Sequence, residues 1–576
     1  MMTAFALTFT AHSVFAIGWA LILGLLAGGI SPLVSIGALT LGYWQGRGFA
    51  RRLEADSRSW SALEISILFF TMFAAWKHFA WLMPLMPNPN GSTLTTLSAT
   101  NYGDLPFHLS LIRFLASGAD FMPLNPIFAT ETLRYPFGVD LYGALWECLG
   151  IQTAGHLLLY GMAATLATLI LLRELGGAWA MAAFFFGGGA VIELVDWKSL
   201  FLSVWITQRG FLLALPLGLT LLLYCRRQVG RRFVPTSTLR SMGWMWGLFP
   251  IIHAHSFLMV SLLMLFRSAL ESREAVRSFF MGPALRRAFI PATVLIFHTS
   301  AGFEKAGVMH LQWMWTLSAQ ASLSPWQWIL VNFGSGLSVF LIAIGLLVSM
   351  RRARVSEISI ELLGLLAFWF LGLTVMLAPW DWDNIKVLIW PWVLMFAVIG
   401  RELRDETSGE ISVGRRRSIQ LATWIGIGLA FFPGVEAMLS SWASPKDRSA
   451  VVWTLEDISN AEGALISVPK NAVFAAATTP NHVLAYFGRP RVAGYEGHLW
   501  SHAIRSDQVI SDLHALMNGT EGWVEAARRL KVTHIYWGPD ERARFGSGPK
   551  PWQTQLTKVS SSNGHEVYAL RPSVGE

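Results

Sequence analysis

Apolar residues run in span-length blocks along most of the chain, separated by short basic or polar breaks. The first block covers 11–45 and is interrupted by Ser31-Pro32. Proline lacks a backbone donor and cannot continue a helix interior, so two helices are expected there. Further blocks at 60–82, 153–172, 176–194, 210–224, 288–301, 327–350, 359–378, 387–400 and 418–437 read as helices. With 242–266 set aside, the apolar blocks give about 11 spans at roughly 20 residues per crossing. Alternation of the kind that marks a membrane barrel is not the pattern.

Basic residues order these spans. Arg47, Arg51 and Arg52 follow the first block, Arg226, Arg227, Arg231 and Arg232 follow 210–224, Arg351, Arg352 and Arg354 follow 327–350, and Arg401 and Arg415–Arg417 come later. Such clusters mark cytoplasmic loops. Block 242–266 has Arg240 before it and Arg267, Arg273, Arg277, Arg286 and Arg287 after it. With both flanks cytoplasmic it becomes a re-entrant hairpin of two half-helices with its tip at Ile251–Ser256. The loop 83–152 and the segment from about 440 then lie outside. Within the loop, 105–117 and 137–150 are apolar but short, as interfacial helices are.

From 440 the pattern changes. Strand-length runs at Ala464–Val468, Ala472–Ala476, Val532–Trp537 and Glu566–Leu570 interleave with helical periodicity at 506–517 and 521–530. The reading is a multi-span transmembrane domain over 1–438 and a small soluble extracytoplasmic α/β domain over 440–576.

Composition agrees with the pattern. The 576 residues are 53% hydrophobic and 14% charged, with 27 Trp and 37 Phe, and mean hydropathy is +0.46. That is a polytopic α-helical membrane protein. The net charge of +8 sits between spans, so it reads as topology rather than a nucleic-acid surface. Cys148 and Cys225 fall on opposite sides of the membrane in this layout, which argues against a disulfide or a cysteine metal site. The apolar start lacks a basic leader and a clear cleavage site, so it is expected to be retained.

Ionisable groups are costly near apolar segments and mark candidate chemistry. Asp104 and His108, in Asn101-Tyr-Gly-Asp-Leu-Pro-Phe-His108, are four apart and share a face if helical. Asp104 either caps that helix or acts as a carboxylate base or cation ligand. His253-Ala-His255 lies inside an apolar block, as a buried pair or as groups facing a wet cavity. A metal there would need a third ligand such as Asp104 or His108. Pro379-Trp-Asp-Trp-Asp-Asn384 with Lys386 concentrates Asp381, Asp383, an amide and an ammonium. Arg134, Arg209 and Lys386 are outer-face cations suited to a phosphate. Thr479–His482, Gly488-Arg489 and Gly494–His502 carry histidines and aromatics that suit a sugar face, a lipid headgroup, or loop packing.

Together, Gly103–Leu111, Asn125–Phe128, Leu133-Arg-Tyr-Pro136, Gln208-Arg-Gly210, His253-Ala-His255, Pro379–Asn384, Gly494–Gly497 and Trp500–His502 resemble motifs of an uncharacterised bacterial branch of the GT-C superfamily of integral membrane glycosyltransferases. The likeness spans nearly the whole chain. It implies an inner-membrane enzyme that transfers sugar from a polyprenyl-phosphate donor to an acceptor at the outer face, with inversion. Asp104 is then the base, with His108 beside it, and Arg134, Tyr135, Gln208, Arg209, His253, His255, Asp381, Asp383, Asn384, Lys386 and His502 bind substrate. Gly103 occupies a position where many members carry a second acid, which leaves a divalent metal open. A single base suffices chemically because phosphate, unlike a sugar alkoxide, leaves as a stable anion. The competing classes are a transporter or flippase for lipid-linked sugars, which would favour polar groups near the midplane, and a non-catalytic envelope assembly protein.

Overall fold

The computed structural model describes the chain except 54–58, 89, 98–103, 188–198, 230–234, 301–308, 313–322, 325, 328–354, 380, 406–420, 422–427, 429–430, 443–449, 549 and 571–576. The expected span 327–350 and most of 418–437, with the basic loops at 231–232, 351–354 and 415–417, lie outside the described residues. The chain divides into two compact units. The first comprises Met1–Phe15, Gly42–Phe79 and Leu158–Pro445, and the second Ala16–Leu41, Ala80–Leu157 and Lys446–Glu576.

It is a helical membrane protein. Among the described residues four helices are long and apolar enough to cross a bilayer: Met2–Ala27, Ala62–Leu82, Gly155–Phe186 and Ala254–Glu271. Arg273–Met281 and Pro283–Thr299, bent by 50°, make a fifth if taken as one broken span. The break at Pro32 separates Met2–Ala27 from Pro32–Arg51. Ala62–Lys77 starts at a capping box in which Ser61 Oγ accepts from Glu64 N–H and Glu64 accepts from Ser61 N–H, satisfying two otherwise orphaned donors. The blocks expected at 153–172 and 176–194 form a continuous run, Thr153–Phe186, broken only at Gly177, whose φ of 65° leaves the helical region.

The block expected as two half-helices does reverse at His253, where Trp246 Nε1 donates to Ser261 Oγ across the turn. Its arms are longer than half-helices. Thr236–Gly247 and Phe249–Ile252 lead in, and Ala254–Glu271 leads out with 18 residues, enough to cross. Helical geometry continues through polar positions such as Thr236, Ser268 and Glu271, which a hydropathy reading trims away. The first arm packs closely on Pro283–Thr299. At Gly243 a Cβ would stand 2.3 Å from Ala284 O, so only glycine permits this approach.

In the second unit, Asp104–Ala116 and Gly138–Glu147 are the two short helices of the first long loop. The loop also contributes strand Thr93–Thr96, which pairs antiparallel with Met86–Pro87 and with Ala450–Thr454. A four-stranded sheet follows in the order Thr557–Ser562, His565–Ala569, His534–Trp537, Phe474–Ala475, antiparallel except for the last pair. Ala464–Val468, expected as a strand, is instead the last two residues of helix Leu455–Leu465 and the turn that follows it. Thr454 caps that helix by accepting from Asp457 N–H, and Ile458, Ala461, Ala464 and Leu465 form its buried face. Thr557–Ser562, polar apart from Val559, lacks the apolar pattern of a strand; it is an exposed edge strand recruited by its hairpin partner.

Candidate functional site

In the second unit Asp104 occupies the first turn of Asp104–Ala116, where the helix dipole favours a carboxylate. It is half-buried, and among the described residues no main-chain N–H donates to its carboxylate. One turn on, His108 Nδ1 lies 3.0 Å from both carboxylate oxygens of Asp140. Asp140 is on Gly138–Glu147 and buried. An Nδ1–H donated to Asp140 fixes the imidazole tautomer and leaves Nε2 with a lone pair.

Rings close around these groups. Phe107 contacts Tyr135 at 5.2 Å, His498 at 5.3 Å and His502 at 4.9 Å between centroids. Tyr135 and His502 lie 4.6 Å apart, and His498 and His502 stack at 6.2 Å. Burial pulls His498 down to about 4, with the Asp104 charge opposing this and His108 and Arg491 reinforcing it. His498 is therefore neutral at physiological pH and lies within the field of Asp104. Arg491 is fully buried. Burial lowers it to about 10, against the pull of Glu541 and Asp540, so it stays charged. Its main chain is fixed by Arg491 N–H to Pro126 O and Ala129 N–H to Arg491 O. Gly488, with φ of 63°, lets this segment pass over the first-loop helix, where a Cβ would meet Phe114 N at 2.5 Å. Arg134 is half-buried in the same unit.

The other expected residues gather in the first unit. Gln208 and Arg209 form the turn entering Phe211–Val229, with Arg209 buried. His253 breaks the helix in extended conformation, caps the next one by accepting from Ser256 N–H at 3.1 Å, and packs edge-on to Phe211 at 4.6 Å. His255 lies 5.8 Å from His253, in the field of Lys386 and Asp383. Lys386 Nζ pairs with Asp383 at 2.7 Å. Asn384 is fully buried, donating to Gly372 O and Val375 O and accepting from Leu377 N–H, so its amide holds the turn itself. The side chain of Asp381 lies outside the described residues.

The structure thus places Asp104, His108, Tyr135 and His502 together in one unit, and Arg209, His253, His255, Asp383 and Lys386 in the other. Sequence reasoning passes over Asp140 and Arg491, and takes in His498 only as part of Gly494–His502. Asp140 is a lone charge in the apolar stretch 137–146, and His498 precedes His502 by one helical turn; both were readable signals. Arg491 carried none, because its burial is a tertiary fact. Among the described residues no three His, Cys, Asp or Glu groups converge to hold a metal ion.

No family model and no curated protein matches the chain. Among solved structures, a mutant form of the mycobacterial arabinofuranosyltransferase AftD aligns with a TM-score of 0.50 at 14% identity, over 90% of this chain and 42% of AftD. A second AftD structure gives 0.49 at 11% identity, over 90% and 40%. The oligosaccharyltransferase AglB from Archaeoglobus fulgidus gives 0.41 at 11%, over 82% and 69%. The chain spans about two fifths of the length of AftD. At this identity the likeness speaks to architecture alone: the chain shares the fold of the aligned part of that AftD structure.

Proposed function

We propose that the protein is a membrane glycosyltransferase that moves a sugar from a polyprenyl-phosphate donor to an acceptor hydroxyl at the outer face of the membrane, with inversion. The shared fold with an arabinofuranosyltransferase supports glycosyl transfer as the reaction class. The observation that carries the site is the placement of Asp104. Its carboxylate stands at a helix N-terminus with no hydrogen-bond partner among the described residues, on one face with an Asp140-oriented His108 and in the field of a neutral His498.

In this reading Asp104 takes the proton from the acceptor hydroxyl as the acceptor oxygen bonds to the anomeric carbon. The bond from that carbon to the phosphate oxygen breaks, and the phosphate leaves with the electron pair. Its charge needs a fixed cation. Arg134 lies in the same unit as Asp104, and its planar guanidinium suits that role. Phe107, Tyr135 and His502 offer flat faces for a pyranose or furanose ring. The test is transfer from a labelled polyprenyl-phosphate sugar in membranes carrying Asp104→Asn. Transfer is expected to be lost while donor binding persists; an unchanged rate would remove Asp104 from the mechanism.

A further inference from the structure

In the first unit the chain turns at Ser272 and starts a nine-residue helix, Arg273–Met281, which Ser272 caps by accepting from Ala275 N–H at 3.0 Å. Wound as a helix, its two sides differ. Ala275, Val276, Phe279 and Phe280 share one face, and Arg273, Glu274, Arg277 and Ser278 the other. Phe279 rests on Trp246 with ring centroids 5.5 Å apart, yet none of the nine residues is buried, and Phe280 and Met281 are 51% and 59% exposed. Gly282 then joins the helix to Pro283–Thr299 at a bend of 50°.

The second helix fixes the level of the first. Ile290, Val294 and Phe297 recur at helical spacing and stand 70%, 59% and 56% exposed, a stripe suited to lipid tails rather than water. Arg286 and Arg287, exposed one turn before Ile290, therefore sit at headgroup depth. Thr236–Gly247 lies alongside, with Gly243 against Ala284 and Arg287 and Gly247 against Ala288 and Pro291, so the exposed Arg240, one turn before Gly243, reaches the same level. Arg273 and Arg277 are exposed as well. Among the described residues none of these five arginines pairs with a carboxylate, those of Glu271 and Glu274 included. A soluble anion would leave Phe280 and Met281 wet, and a neutral bilayer would leave the arginines without a counter-charge. An anionic leaflet meets both needs.

We propose that Arg273–Met281 is an interfacial helix that, with Arg240, Arg286 and Arg287, binds the anionic phospholipids of the leaflet on which it lies. The proposal does not depend on the transferase reading. Its test uses the 576-residue chain in phosphatidylcholine nanodiscs doped with phosphatidylglycerol, with retained lipid counted by native mass spectrometry. Phosphatidylglycerol should be retained in preference. Arg273→Gln with Arg277→Gln should lower that preference about tenfold or more, since each cation near the surface counts for about fivefold, and Arg273→Lys with Arg277→Lys should keep it. Placement is read separately, with nitroxide labels in a Cys148→Ala, Cys225→Ala chain. A label on Phe280→Cys should be reached by oxygen dissolved in the bilayer, and one on Ser278→Cys by a water-soluble nickel chelate. No preference in the wild type, or an unchanged one in the glutamine pair, overturns the proposal. So does a label on Phe280→Cys as open to the chelate as one on Ser278→Cys, which would mark a helix in water, or spin coupling between two labelled chains through this face, which would mark an interface between copies.

Discussion

The two polar clusters treat their charges differently. In the first unit Lys386 is paired with Asp383, Asn384 is committed to three main-chain groups, and His253 serves as a helix cap. In the second unit His108 is oriented by Asp140, while among the described residues no main-chain N–H donates to Asp104 one turn away. Groups that bond one another inside apolar helices answer the desolvation problem and hold the fold. A carboxylate left uncommitted on a positioned helix is available to a substrate.

The sharpest break of this contrast is Asp104→Asn. Loss of a general base costs about 10²–10⁴ in rate. Because Asp104 makes no hydrogen bond among the described residues, the melting temperature should stay within a degree or two, by the usual shift for small changes in stability. A variant that melts early and loses transfer in proportion would show that Asp104 is structural after all.

Next comes acid. His498 titrates near 4 in the fold and near 6.5 when unfolded. Above 6.5 both states are neutral and the group has no effect. As pH falls from 6.5 towards 4, only the unfolded chain takes the proton, so stability drops by at most about 3 kcal/mol and then levels off. Denaturant titrations of wild type and His498→Gln between pH 7 and 4 check this: the variant should show a shallower acid loss. Parallel curves would place the acid sensitivity elsewhere.

Asp140→Asn should have a smaller effect, on the order of tenfold in rate, by releasing the His108 tautomer while Asp104 stays in place. The measurement is the pH profile of kcat. A merely structural Asp140 would lower kcat uniformly across pH, whereas a positioning role moves the acid limb.

The helices were largely legible because burial in lipid imposes one rule, long apolar runs, and proline marks the breaks. Ser31-Pro32 did separate two helices, and the short runs at 105–117 and 137–150 became Asp104–Ala116 and Gly138–Glu147. The pairing of Thr93–Thr96 with Ala450–Thr454 was not legible, since no local pattern encodes a partner that far along the chain. Ala464–Val468 misled because a short apolar run is compatible with strand or helix, and the cap at Thr454 decides it. In the site, residue types pointed to Asp104 and His108. The tie from His108 to Asp140 and the field shared by Asp104 and His498 depend on distances that exist only after folding.

The smallest predicted effect bears on the first unit. Lys386 and Asp383 are each largely buried, with side chains 16% and 15% exposed, so their attraction is less screened than that of a surface pair such as Arg544 and Glu496, 35% and 50% exposed. A double-mutant cycle with Lys386→Met and Asp383→Asn should give a coupling of about 1–2 kcal/mol, against about 0.5 kcal/mol or less for the Arg544 and Glu496 pair. Equal couplings would mean that water reaches Lys386 as freely as it reaches the surface. The ammonium would then be open to a substrate phosphate rather than committed to Asp383, and the contrast between the two clusters would be one of degree.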